Sequence, residues 1–259
     1  MSSQQRFGYE WGKYAHIAEQ YEGQFLNWTA PRGKEYWKGK RILDVGCGMG
    51  RNTYWPMRWG ASGGVAFDFD TRSVESARAN LKEFPTEVLY MSVYDASWKN
   101  AFDVAFSIGV VHHLEDPKRA LSLMVDSLVP EGELLVWVYS YEGNEWIVRY
   151  VDPIRKAITS KLPVGLVHFL SYLCSIPLYL FVKLFRGPSG YFKQIATFDF
   201  WHIHSIVFDQ LIPDIAHYWK QREVEDLVLG LPLKNVRVIA PPNGSGWILS
   251  GTKVAHEQI

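Results

Sequence analysis

Ile42–Gly50 reads ILDVGCGMG, and the fold turns on this stretch. A short apolar run, Arg41–Val45, delivers Asp44 and then meets glycines at 46, 48 and 50, with Cys47 between the first two. A run this short, stopped by glycine, is a buried strand entering a tight turn. Glycine lets the backbone bend sharply and approach a ligand closely. A helix predicted over Arg51–Trp59, with Pro56 awkward inside it, would then offer its first amides to a carboxylate or ribose oxygen. Arg51 stands where a GxGxxG dinucleotide fingerprint needs its third glycine, which counts against NAD. No Gly-Lys-Ser/Thr follows, which counts against a phosphate loop as well.

Strand and helix alternate outward from this turn. Gly64–Phe67, Val88–Met91 and Phe102–Ser107 read as strands, and Val74, Ala77, Leu81 and Phe84 mark a helix that Pro85 ends. Asp116-Pro117 is a helix start, with Leu121, Met124, Val125 and Leu128 as its buried stripe. Pro130, Glu131 and Gly132 predict a turn into the strand Glu133–Tyr139. This alternation argues for a parallel sheet covered on both faces. Near the end, Val224, Leu227 and Val228 predict a helix, and Lys234–Ile239 and Gly246–Thr252 an antiparallel pair around Pro241–Gly244. At the start, Trp11, Tyr14, Ala18, Tyr21 and Phe25 fall on one face of a helix closed by Pro31 and Gly33.

Composition sets the bounds. The 259 residues suffice for one α/β domain with an inserted cap. The formal net charge of zero gives no sign of a nucleic-acid partner. Two cysteines, Cys47 and Cys174, make neither a disulfide framework nor a zinc spacing. MSSQQRFGYEWG lacks the apolar core of a signal peptide, so a cytoplasmic setting is expected. Aromatic residues reach 15%, for which core packing is the leading reading and a substrate pocket the second.

Further polar residues follow in register. Asp68, in GGVAFDFD, can accept from both ribose hydroxyls, Phe69 can pack on an adenine face, and Asp95, in VYDAS, can accept from the adenine amino group. Singly, each aspartate could merely cap a helix or turn. Together, ILDVGCGMG, VAFDFD, VYDAS, FDVAFSIGVVHHLEDP and LVPEGELLVWVYS resemble the successive motifs of class I S-adenosylmethionine-dependent methyltransferases, most closely the ubiquinone and menaquinone type. That resemblance, over roughly Lys38 to Tyr139, implies a Rossmann-like α/β fold: a seven-stranded, mostly parallel sheet with an antiparallel last strand. It implies one domain over 1–259, made of an N-terminal helical cap (1–37), a cofactor-binding core (38–140), a helical cap insertion (141–205) and a completing segment (206–259). S-Adenosylmethionine is the implied cofactor. Asp44, Gly46 and Gly48 would line its methionine part, Asp68 its ribose, and Tyr94, Asp95 and Ala96 its adenine; Ser107, Ile108 and Gly109 would border the sulfonium.

The stretch Ser107–Val110 reads Ser-Ile-Gly-Val rather than Asn-Pro-Pro-Tyr, which favours oxygen or carbon over nitrogen as acceptor. His112 and His113 stand where the methyl would emerge and are candidate bases, although they could equally cap a helix. Tyr141, Trp146, Arg149, Tyr150, Tyr191 and Trp201 are candidates for selecting a small-molecule, lipid-linked or glycan-linked acceptor. Arg149 suits a carboxylate or phosphate. His202 and His204, two apart in FDFWHIHS, would share one face of a strand and join the pocket; no metal site is expected. Leu162–Val182 has no charged residue, and Pro163, Pro177 and Gly187 would break the region into short helices. It reads first as a lid and second as an interfacial segment touching a membrane, flanked by Lys156, Lys161, Lys183 and Arg186. The competing functional classes are an NAD-type oxidoreductase and a catalytically silent cofactor-binding protein.

Overall fold

The computed structural model describes residues 17–185 and 190–255. The start of the predicted N-terminal helix, including Trp11 and Tyr14, lies outside them, as does Gly187. Seven strands make one sheet: β1 Arg41–Val45, β2 Gly63–Asp68, β3 Thr86–Tyr90, β4 Phe102–Ile108, β5 Leu128–Val138, β6 Leu233–Ile239 and β7 Trp247–Lys253. Their order is β3-β2-β1-β4-β5-β7-β6. β1 to β5 are mutually parallel, and β7 runs antiparallel to both β5 and β6, so it is the single reversed strand. The expected Rossmann-like sheet is present.

Strand alternation builds two cores from adjacent residues. Leu43, Val45 and Phe67 face one layer with α4 (Pro117–Ser127), which contributes Ala120, Leu121 and Met124. Ile42, Val104 and Phe106 face the other, against α1 (Gln20–Trp28) and α2 (Arg51–Arg58). There Phe25, Trp37 and Phe106 meet at ring separations of 5.3–6.0 Å. Much of the aromatic content is thus core packing. α3 (Thr71–Leu81) is capped by Asp70, and α4 by Asp116, whose carboxylate accepts from Arg119 N at 3.0 Å.

The chain leaves β1 toward β2 on one side and returns to β4 on the other. The carboxyl ends of β1 and β4 therefore flank the crevice where this sheet type binds ligands. Pro130, Glu131 and Gly132 do not form a separate turn. They lie inside β5 as an irregularity in its pairing with β4, with Glu131 at φ 63°.

The cap comprises α5 (Asp152–Ala157), α6 (Val164–Phe185), α7 (Gly190–Ile195) and α8 (Phe200–Leu211), followed in the core by α9 (Gln221–Asp226). Two expectations fail here. α6 runs unbroken for 22 residues with Pro177 inside it, so its packing along α8 outweighs the roughly 3 kcal/mol that an interior proline costs. His202 and His204 sit on a helix, not a strand, because Asp199 accepts from His202 N at 2.8 Å and starts α8.

Candidate active site

The turn after β1 is fixed by its own backbone. Gly46 N and Cys47 N both donate to Phe67 O at 2.9 Å, which ties the turn to the end of β2. Gly46, at φ 77°, lies so close to Val110 that an added Cβ would stand 2.5 Å from its Cγ2. A side chain there would have to displace Val110. Gly48 N donates to Asp68 Oδ2 at 2.9 Å, and Asp70 N to Asp68 Oδ1 at 3.0 Å. Asp44 is buried, and its Oδ2 accepts from Thr53 Oγ1 at 2.6 Å, while Oδ1 has no partner among the described residues.

Both carboxylates ionise at a cost here. Burial is the larger cause for both: it pushes Asp44 up to about 7 against the Thr53 hydrogen bond, with the Asp68 charge adding to it. Burial likewise raises Asp68 to about 6, opposed by the amides of Gly48 and Asp70. The crevice is an unmet negative site, and a cation would relieve it. Cys47 is buried beside them, its thiol pushed well up by burial and then by both carboxylates, so it is an inert wall.

Around this centre the other expected contacts divide. Phe69 and Tyr90, half exposed at the ends of β2 and β3, stack in parallel with centroids 5.5 Å apart. Asp95 is exposed and Ala96 buried, while Tyr94 Oη accepts from Asp116 N at 2.9 Å. Ser107 is buried and donates to Val45 O at 2.8 Å, which makes it a clamp between β4 and β1. Ile108 is buried, and Gly109, at φ 80°, donates to Trp137 O at 3.1 Å. An open surface depression of about 380 Å³ between Arg41, Gly63 and Glu87 lies at the opposite, amino ends of the strands.

Beyond β4 the structure gathers a second group. His112 is fully buried, packs at a tilt against Tyr139 with ring centroids 3.8 Å apart, and has no hydrogen-bond partner for either ring nitrogen among the described residues. Burial, then the charges of His113, His217 and Arg155, hold its pKa well below the usual range. His113 Nδ1 lies 2.6 Å from Ile215 O. A carbonyl only accepts, so Nδ1 carries the proton and Nε2 keeps the lone pair. Burial lowers His113 to about 4, with the Ile215 carbonyl opposing. Both imidazoles are neutral at physiological pH.

Sequence reading missed Arg155, Gln210, Tyr218 and His217, which no motif announces. Arg155 buries its side chain completely and pairs with Asp152, yet Nε and Nη1 have no partner among the described residues. Tyr218 Oη donates to Gln210 Oε1 at 2.8 Å, and Gln210 Nε2 to Tyr139 Oη at 3.2 Å. Arg155 acts electrostatically on His112, His113 and Tyr218, which sets it within this group. Tyr191 is half-buried, its phenol pushed up to about 12 by burial and then by Asp209. Tyr141 packs under Lys220.

Four expected pocket residues face outward: Trp146, Arg149, Tyr150 and Trp201 are exposed. His202 and His204 diverge around α8. His202 stacks on Phe198 at 3.8 Å and meets the edge of Tyr21 at 4.9 Å, whereas His204 Nδ1 lies 2.7 Å from Ser175 Oγ on α6. Among the described residues no cluster of histidine, cysteine and carboxylate could hold a metal ion.

Residues 43–136 match the family of methyltransferase domains. That match, about a third of the chain, is to a methyltransferase domain. Such domains use S-adenosylmethionine. Relatives include an uncharacterized protein of Synechococcus sp., 35% identical over 120 residues, covering 44% of this chain and 29% of the relative. A tRNA U34 carboxymethyltransferase of Cronobacter sakazakii is 35% identical over 113 residues, covering 41% of this chain and 34% of the relative. The match thus spans about a third of these curated relatives' length. An S-adenosylmethionine-dependent methyltransferase from Thermotoga maritima superposes with a TM-score of 0.55 at 18% identity, covering 97% of this chain and 99% of its own. An O-methyltransferase family protein from Burkholderia thailandensis gives 0.56 at 12% identity, covering 92% and 57%. These likenesses show the fold.

Proposed function

We propose that the protein transfers a methyl group from S-adenosylmethionine to an oxygen or carbon of an anionic small-molecule or lipid-linked acceptor held beneath the helical cap. The observation that carries this is Asp44 Oδ1, a buried carboxylate oxygen without a partner among the described residues, beside a glycine turn where a Cβ would collide with Val110. A ligand with positive charge on ammonium and sulfonium answers it. When bound, that cofactor supplies a methyl group already activated on a cationic sulfur. The protein's task is then to align the acceptor and manage its proton.

Asp68 suits the ribose. A carboxylate has about four lone-pair positions, and the amides of Gly48, Asp70 and Phe69 occupy three, which leaves one for a ribose hydroxyl. Phe69 and Tyr90 offer flat faces to the adenine, and Gly109 leaves the backbone bare at the end of β4. His113 is the proposed base, with Nε2 oriented by the bond at Nδ1. A base near 4 is always ready but weak, so it suits a proton made acidic by the positive charge that the acceptor oxygen gains as the methyl bonds to it. His112, whose ring nitrogens have no hydrogen-bond partner among the described residues, is better read as a wall of the acceptor pocket than as the base. Arg155 would receive a carboxylate or phosphate on the acceptor through Nε and Nη1.

The relatives named for tRNA modification bring a nucleic-acid acceptor into view. The family match ends at residue 136, before the cap begins, and so carries no choice of acceptor. The cap's buried, aromatic-lined group favours a smaller one. The test is methyl-labelled cofactor with fractionated lipids, small metabolites and tRNA as acceptors. Labelled product in a lipid or metabolite fraction, lost in His113→Gln with cofactor affinity unchanged, is the expected result. Labelling of tRNA alone would overturn the acceptor class, and no labelling in any fraction would overturn the activity.

A further inference from the structure

α6 is built inside out. Its buried positions include His168, Ser171 and Ser175, whose hydroxyls bond back to Val167 O and Ser171 O, while Leu166, Phe169, Leu173, Ile176, Leu184 and Phe185 are 44–73% exposed. Only 22% of its most apolar window is buried, although the helix is long and apolar enough to cross a bilayer. A core helix would do the reverse. Both ends are nevertheless tied into the same domain: just before its start Thr159 Oγ1 donates to Leu211 O at 2.7 Å, and near its end Lys183 Nζ donates to Ala196 O at 2.7 Å. Crossing would also carry β6 and β7 away from β5, to which β7 is paired.

Charge says what covers this face. Residues 153–198 hold six of the chain's 27 basic residues and none of its 27 acidic ones. Lys161, Lys183 and Lys193 are exposed. We infer that α6 lies in the plane of an anionic lipid surface, its apolar face among the acyl chains and its lysines at the headgroups. A second copy on this face would bring lysines together with no acid to answer them. RNA would meet leucine and phenylalanine rather than phosphate-binding groups. The inference does not rest on methyl transfer.

The test is flotation of the whole protein with vesicles of phosphatidylcholine, with and without phosphatidylglycerol. Cys174 is an exposed free thiol on α6 and Cys47 is buried, so a thiol-reactive, polarity-sensitive dye reports this helix selectively. Flotation with the anionic vesicles, a blue shift of the dye, and roughly tenfold weaker binding by Leu173→Glu are expected, since a carboxylate would enter the acyl boundary. Leu173 is exposed, so the folded state tolerates the change, and an unaltered melting curve confirms it. Three results would each overturn the inference: no flotation with either vesicle, flotation indifferent to Leu173→Glu, or a dimer in sedimentation that Leu173→Glu dissociates. tRNA binding that Leu173→Glu leaves intact, without flotation, would give the surface to RNA instead.

Discussion

Replacing Asp68 with Asn changes one atom and should break the ribose site. In the native turn each carboxylate oxygen already accepts one backbone amide, Gly48 N at 2.9 Å and Asp70 N at 3.0 Å. Whichever way an Asn amide is turned, its NH2 points at one of those donors. One oxygen is lost as an acceptor for a hydroxyl, and the charge that strengthens the other bond is gone. A hydrogen bond to a charged group contributes about 1.5–3 kcal/mol, so affinity for S-adenosylhomocysteine should fall about 10- to 150-fold. Calorimetric titration at pH 8, where the wild-type carboxylate near 6 is ionised, measures this directly. A thermal melt run alongside shows that the variant is folded. Affinity within about twofold of wild type in a folded variant would refute the ribose role.

Other perturbations test neighbouring parts of the same account. Asp44, raised to about 7, stabilises the unliganded protein most below its unfolded value near 3.8 and loses that contribution as pH rises through 7; Asp44→Asn should flatten the melting temperature between pH 5 and 8, and an unchanged slope would contradict the burial argument. Cofactor binding near pH 7 should release a proton from Asp44, seen as a binding heat that differs between Tris and phosphate buffers; equal heats would deny it. Gly46→Ala forces a Cβ to within 2.5 Å of Val110 Cγ2 at φ 77° and should abolish binding, while Gly46→Ala with Val110→Ala should recover part of it; no recovery would show that the close approach is not the cause. Arg155→Lys should raise the acceptor KM about tenfold or more by losing the fork geometry, leaving cofactor affinity intact, and a drop in kcat alone would point to a structural role.

Local patterning made the core legible. Short apolar runs ended by glycine or aspartate marked β1, β2 and β4, and the Pro-Pro-Asn-Gly turn announced the reversed strand β7. The carboxylates proposed for the cofactor were visible because they lie at or just beyond the ends of strands. The cap was not, because its elements are set by tertiary contacts. FDFWHIHS alternates like a strand, and only Asp199 as a helix cap signals otherwise. Pro177 looked like a break, yet it lies on the exposed side of α6. α6 turns His168, Ser171 and Ser175 inward, the residues a sequence reading would give to solvent, so its outward apolar face appeared only with the structure. Arg155 came into view the same way: its pairing with Asp152 is local, but its burial beside His112 and Tyr218 joins residues far apart in the chain.

The claim beneath all of this is that the crevice at the end of β1 is shaped and charged for an adenosyl sulfonium. Titrating the wild-type protein in turn with S-adenosylmethionine and NADH asks that most directly. Saturable binding of S-adenosylmethionine at one site per chain, lost in Asp44→Asn with Asp68→Asn, and no heat with NADH, is the predicted outcome. Binding of NADH, or S-adenosylmethionine affinity that survives loss of both carboxylates, would contradict it.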